Sequence, residues 1–316
     1  MKSDPAVIFT ALLFFLMTAI AGYNLTVPEE EVFVKIEPGT TGYRIAGVLR
    51  EEGLILSKRG FLLLSNLTGA TRKLQSGTYR FSKKMTSFEI LRMLRDGKTF
   101  LKKMTVPEGF RAGQIAELVE KNGFGDRGRF MELVMRDNLE GYLFPETYLF
   151  PPDITEEGII DAMKGQFENM YSGEFDKRAG ELHMSRQKVV TLASIIEREA
   201  AADGERPIVS AVFHNRLKKR WRLESCATVR YALGNYDRKL RYKDLDVESD
   251  YNTYRKWGLP PGPICNPGLK SIKAALYPDP DSGDTMFFFS KEGKTHEFSK
   301  YYEGHLEGQR KNRKKR

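Results

Sequence analysis

Val34-Lys-Ile-Glu-Pro-Gly-Thr-Thr-Gly-Tyr-Arg-Ile45-Ala46 and Lys103-Met-Thr-Val-Pro-Glu-Gly-Phe-Arg-Ala-Gly-Gln-Ile115-Ala116 pass twice through one order of residue types. In each, a short strand pattern runs into a Pro/Gly turn and then into the Ile-Ala start of a helix. Such self-similarity predicts a duplicated strand–turn–helix unit and an α+β fold. The first copy reads as a strand over 32–36 and a helix over 43–52 with Ile45, Val48 and Leu49 on one face. Between the copies, Gly77 to Phe81 reads as a strand. Thr86-Ser-Phe-Glu89 is a capping-box pattern that opens a helix through Arg95, stopped by Gly97. No catalytic cluster is visible in this region, which suits a binding or spacing module.

Toward the N-terminus, Ala6 to Tyr23 carries no charge. At about 1.5 Å per helical residue such a run just spans a hydrocarbon core of roughly 30 Å. Lys2 precedes it and Glu29, Glu30 and Glu31 follow it, which places the N-terminus in the cytoplasm. The rival reading is a signal peptide cleaved near Ala19-Ile20-Ala21. Both readings export the rest of the chain. Its 51 basic and 42 acidic side chains leave a net charge of +9, concentrated in the tail Arg310-Lys-Asn-Arg-Lys-Lys-Arg316. In an exported protein such a tail would meet anionic lipid or wall polymer rather than nucleic acid, and a solvated, disordered tail is the favoured reading over any specific binding role.

From about Asn138 the texture changes to aromatics, prolines and carboxylates, as in Leu139-Glu-Gly-Tyr-Leu-Phe-Pro-Glu-Thr-Tyr148. Helices are expected over 159–170, 187–202, 208–219 and 271–276, and a terminal hairpin over 286–298 turning at Glu292-Gly293. The expected organisation is an anchor over 1–25, small α+β modules over 26–137, a catalytic part over 138–306 and a basic tail over 307–316. Two cysteines and four scattered histidines make neither a zinc site nor a disulfide framework. No P-loop, dinucleotide fingerprint or nucleophile elbow is present, so no metal and no cofactor is expected.

Chemistry has a candidate home in Val189-Val-Thr-Leu-Ala-Ser-Ile-Ile-Glu-Arg-Glu-Ala200. Wound as a helix, this segment places Glu197 within an apolar arc and Glu199 at the arc's other edge. A desolvated carboxyl can hold a proton near neutrality, as a general acid must. Geometry alone does not choose between the two. Glu140, Glu146 and Glu224 are further carboxylates, and a glycosidase uses a pair. Tyr142, Tyr148, Tyr251 and Tyr254 offer flat faces for sugar rings. Asn215, Asn252 and Asn266 offer amides for hydroxyl or N-acetyl groups, with turn chemistry an equal reading for Asn266 before Pro267. Together they describe a carbohydrate cleft.

Leu192-Ala-Ser-Ile-Ile-Glu-Arg-Glu199, Phe213-His-Asn-Arg-Leu217, Thr228-Val-Arg-Tyr231, Tyr251-Asn-Thr-Tyr254 and Gly258-Leu-Pro-Pro-Gly-Pro-Ile264 resemble, in this order, the MltG (YceG-like) endolytic murein transglycosylases. Glu140 to Tyr148 fits that family too. Glu224, where some relatives carry Gln, and Cys226, where some carry Asp, depart from its pattern.

The resemblance implies a single-pass inner-membrane protein with a LysM-like small α/β module ahead of a larger α+β catalytic domain. It assigns catalysis to Glu197 and puts Glu140, Tyr142, Glu146, Asn215, Glu224, Tyr231, Tyr251, Asn252 and Tyr254 at the substrate. Expected partners are peptidoglycan glycan strands, inner-membrane lipid and cell-wall synthases of the penicillin-binding type. One carboxyl group suffices for the implied reaction. It protonates the MurNAc–GlcNAc bridging oxygen, then takes the proton of the MurNAc C6 hydroxyl as that oxygen closes on C1. The alternatives are a muramidase using water and a second acid, Glu146 or Glu224, and a non-catalytic wall-binding scaffold. A disulfide between Cys226 and Cys265, both in loops of the exported part, is the last expectation, with two free thiols the alternative.

Overall fold

A computed structural model of the chain describes residues 30–234, 240–291, 295–304, 306–307 and 310. The proposed anchor, the hairpin turn at Glu292-Gly293 and the last six tail residues lie outside the described residues. Among the described residues, no helix is long and apolar enough to cross a membrane.

The chain forms two compact units, one running through Lys102 and including Leu149–Asp153, the other holding Lys103–Tyr148 and everything from Ile154 on. The first contains β1 (Glu31–Ile36), α1 (Gly42–Glu51), α2 (Lys58–Leu67), β2 (Gly77–Ser82) and α3 (Ser87–Asp96). β1 and β2 pair antiparallel, from Glu31 opposite Ser82 to Ile36 opposite Gly77. Alternation along them turns Val34, Ile36, Tyr79 and Phe81 inward, onto Ile45, Leu49, Phe61, Ile90 and Leu94. Burying each such side chain contributes about 1.5–3 kcal/mol. The capping box of α3 forms as its sequence predicts, with Thr86 and Glu89 bonded reciprocally. Gly97 ends the helix at φ 64°.

The remaining elements are β3 (Lys102–Thr105), α4 (Ala112–Lys121), α5 (Arg127–Arg136), β4 (Thr147–Phe150), α6 (Glu156–Met170), α7 (Gly173–Glu181), α8 (Arg186–Glu199), α9 (Arg206–Lys218), α10 (Cys226–Ala232), α11 (Leu269–Leu276), β5 (Phe287–Lys291) and β6 (Thr295–Ser299). β3 pairs with β4, and β5 with β6. In the second unit α8 is central. Every residue from Val189 to Ile196 is buried, because α7, α9, α10 and α11 all pack against it. A helix enclosed on all sides reads as apolar all round, so its sequence stripe understates its burial. Its two buried hydroxyls are satisfied locally, Thr191 Oγ1 donating to Gln187 O at 2.7 Å and Ser194 Oγ to Thr191 O at 2.7 Å.

The repeat in sequence is a repeat in structure. Thr40 N–H donates to Glu37 O at 3.2 Å and Phe110 N–H to Pro107 O at 3.4 Å, closing equivalent turns. Gly39 and Gly109 each take φ 77°, a conformation that favours glycine. The second turn and α4 nevertheless belong to the second unit. The units divide at Lys102–Lys103. A local motif sets the turn; what it packs against sets the unit.

Candidate active site

The last turn of α8 carries Glu197, whose side chain is only 6% exposed. Arg206, at the start of α9, donates Nη2 to Glu197 Oε1 at 3.0 Å, and Gly268 donates its backbone N–H to Oε2 at 3.0 Å. Arg206 is itself held by Ser271, bonding its Oγ at 3.0 Å, and by Asp203, which also pairs with Lys270. The purely apolar surrounding that the helical wheel suggests for Glu197 is therefore replaced by two donors. α8 ends where Ala200 turns extended, at ψ 125°, and Pro207 sits in the first turn of α9, where its missing N–H leaves no helical bond unmade.

Two glycines lie against this site. A Cβ on Gly109 would lie 3.5 Å from Glu197 Cγ. One on Gly268 would collide with the Glu108 carboxylate, although φ of −75° at Gly268 suits any residue. Glu108 is exposed but its carboxyl end lies against this backbone. Partial burial, and after it the charge of Glu197, hold its pKa above the ordinary value, against the pull of Arg206 and Lys270. Glu108, Arg206 and Gly268 are absent from the sequence-based candidates. The Pro-Glu-Gly turn and the Asn-Pro-Gly stretch were the visible signals.

Glu140, Tyr142, Tyr231 and Tyr251 do come together, lining one cavity of about 800 Å³ with Gln187 and Pro261–Pro263. Glu140 accepts from Ala112 N–H at 3.1 Å and from Asn266 Nδ2 at 3.1 Å. Burial nonetheless pushes its pKa up to about 7. The rings of Tyr231 and Tyr251 stand 4.7 Å apart. Asn266 is fully buried and acts as a structural hub. Its Oδ1 accepts from Gly141 and Leu143 N–H, both at 2.9 Å, and its Nδ2 also donates to Phe110 O at 3.0 Å. Glu197 does not line this cavity. The link between them is the stretch from Ile264 to Gly268, which carries the Glu140 partner Asn266 and the Glu197 donor Gly268 within three residues.

The other candidates lie elsewhere. Glu199 Oε1 accepts from Ser225 Oγ and, at 3.2 Å, from Ala227 N–H, so it serves the start of α10. Glu224, at φ 50°, pairs with Arg216 at 3.6 Å. Glu146 is exposed and takes the Thr147 N–H at 2.9 Å. Asn252 spends its amide on Leu245 O and Val247 O at 2.9 and 2.8 Å, and Asn215 spends its own on Ser282 O and Thr285 O at 3.0 and 2.9 Å. Tyr254 Oη meets Cys226 Sγ at 3.2 Å. The disulfide expected between Cys226 and Cys265 is not formed. Both thiols are free, Cys265 donating to Ser194 O at 3.4 Å from a fully buried position. Cys226 sits with Tyr254 and Cys265 against Ser194. Among the described residues, no group of three or more His, Cys, Asp or Glu side chains could hold a metal ion.

The YceG-like family pattern matches residues 34–311, which takes in both glutamate clusters. The chain belongs to that family. Its similarity to the endolytic murein transglycosylase of Bacillus subtilis is 34% identity, covering 90% of this chain and 87% of that one. An endolytic murein transglycosylase of Streptococcus pneumoniae is 26% identical over 84% of this chain, which spans about half that protein's length, 55%. The crystal structure of a yceG-like protein from Listeria monocytogenes has a TM-score of 0.59 at 32% identity, covering 89% of this chain and 99% of that chain. Within this YceG-like chain the two glutamate clusters are joined by the Ile264–Gly268 stretch.

Proposed function

We propose that this YceG-like protein is an endolytic murein transglycosylase, a lyase that cuts the MurNAc–GlcNAc bond within peptidoglycan strands. It leaves 1,6-anhydro-MurNAc ends and limits the length of nascent strands. The observation that carries this reading is the match to the Bacillus transglycosylase across nearly the whole of both chains. Glu197 is the proposed catalytic group. Its carboxyl protonates the bridging oxygen as positive charge develops at C1, then accepts the proton of the C6 hydroxyl that attacks C1. Acid-then-base use of one group returns it to its starting state. Arg206 and the Gly268 N–H orient it. The cavity of Glu140, Tyr142, Tyr231 and Tyr251 is the proposed sugar site, with aromatic faces for the rings.

The uncharged run Ala6–Tyr23 supports a single-pass inner-membrane anchor, with the N-terminus cytoplasmic and the catalytic part outside. The unit built on β1, β2 and α1–α3 is proposed as the LysM-like, wall-holding module, its support being the strand–turn–helix repeat. Membrane lipid and cell-wall synthases are the proposed partners of an enzyme so placed. Digestion of purified glycan strands tests the function. Anhydro ends support it, and ends heavier by one water would show a hydrolase instead.

A further inference from the structure

Glu108 occupies a corner that the duplication makes comparable. In the first copy the residue before the φ 77° glycine is Pro38; in the second it is Glu108. The second turn is clamped to the Ile264–Gly268 stretch, Gly109 N–H donating to Asn266 O at 2.9 Å and Asn266 N–H to Phe110 O at 2.8 Å. That clamp lays the Glu108 carboxylate against Gly268, whose own N–H is spent on Glu197. Glutamates from two distant elements thus meet at one glycine. Arg206 and Lys270 are cations that act on Glu108, with Asp203 between those two, and Arg198 lies beside Gly109.

We propose that Glu108 is the proton-sharing partner of Glu197, so that the reacting centre is two carboxyls holding one proton. The proposal rests on the transglycosylase reading and deepens it. Glu197 itself is bonded to a guanidinium and a peptide N–H. A general acid has to start protonated. A neighbouring carboxyl supplies a reason for that, because two close carboxyls resist full ionisation. The upward shift of Glu108, to which the Glu197 charge contributes, runs in the same direction. Access divides the labour: Glu197 is nearly sealed, whereas Glu108 reaches solvent and lets the pair recover a lost proton. In the reaction the pair gives its proton to the bridging oxygen as the C1–O bond breaks. The C6 oxygen then bonds to C1 and its proton returns to the pair. One C–O bond breaks, one forms, and no water is consumed.

The test uses the full chain in detergent, with purified glycan strands, Glu108→Gln, Glu108→Asp and Glu197→Gln. In Glu108→Gln the alkaline limb of the kcat profile moves to lower pH by about one unit or more, and kcat falls roughly 10²-fold with KM nearly unchanged. Glu108→Asp restores part of both. Carboxyl ¹³C titration, which needs no turnover, shows the Glu108 midpoint falling in Glu197→Gln. An unmoved alkaline limb in Glu108→Gln, or a Glu108 midpoint indifferent to Glu197→Gln, overturns the pairing. If the wild type releases water-added ends or cleaves nothing, the transglycosylase reading fails instead, and the titration still decides the pairing.

Discussion

Gly268 donates its N–H to Glu197 Oε2 at 3.0 Å while leaving no room for a side chain beside Glu108. The glycine is demanded by its neighbour and not by its own backbone, since φ is −75°. Gly268→Ala should therefore fold, because the exposed Glu108 side chain can swing aside. Displacing that carboxylate should lower strand cleavage roughly 10–100-fold, the scale of a misplacement of about 1 Å. Wild-type activity in Gly268→Ala with an unchanged melting temperature would refute this.

Glu197→Gln should abolish cleavage, a loss of at least about 10²–10⁴-fold. It also removes the charge that answers buried Arg206, so a destabilisation of about 1–3 kcal/mol is expected alongside. Glu199→Gln should stay active, because an amide oxygen can still accept from Ala227 N–H. Activity in Glu197→Gln with loss in Glu199→Gln would exchange the two roles.

Glu140 predicts a pH signature. Its folded pKa is raised, to about 7 from 4.5. The stability it contributes is therefore fully present below the unfolded value and is lost as pH rises through the folded one. Relative to Glu140→Gln, the wild type should lose up to roughly 3 kcal/mol between about pH 4 and about pH 8, at about 1.4 kcal/mol per pH unit. Urea unfolding of both proteins at the two pH values measures this. A constant difference would count against a buried, protonated Glu140.

The thiols predict a labelling order. Cys226 is exposed and should be alkylated in the native protein, whereas buried Cys265 should react only on unfolding. Burial also pushes the Cys265 thiol well above its ordinary pKa, which lowers its thiolate fraction. Protein isolated without reductant and lighter by two hydrogens would restore the disulfide.

Features that a few neighbouring residues determine were legible in the sequence. The Thr86–Glu89 box and the two Pro/Gly turns form where the pattern puts them, because their hydrogen bonds close within four residues. Glu140 and its tyrosines also met in one cavity. Asn252 and Asn215 show the limit: an amide that suits a sugar hydroxyl suits a backbone carbonyl equally, and both are spent on carbonyls. Arg206 and Glu108 were invisible for a different reason. Glu108 matters through Gly268, on a segment far off in sequence, and Arg206 through Glu197 across the break between two helices, which no local pattern shows.

The paired turns have a consequence for how this framework tolerates change. Both bend identically at Gly39 and Gly109, yet one corner holds proline and the other a glutamate. Backbone geometry there is indifferent to the chemistry displayed. A single codon change, Glu108→Pro, would copy the silent corner onto the armed one and leave the scaffold intact. Evolution can turn such an enzyme down without first having to unmake its fold.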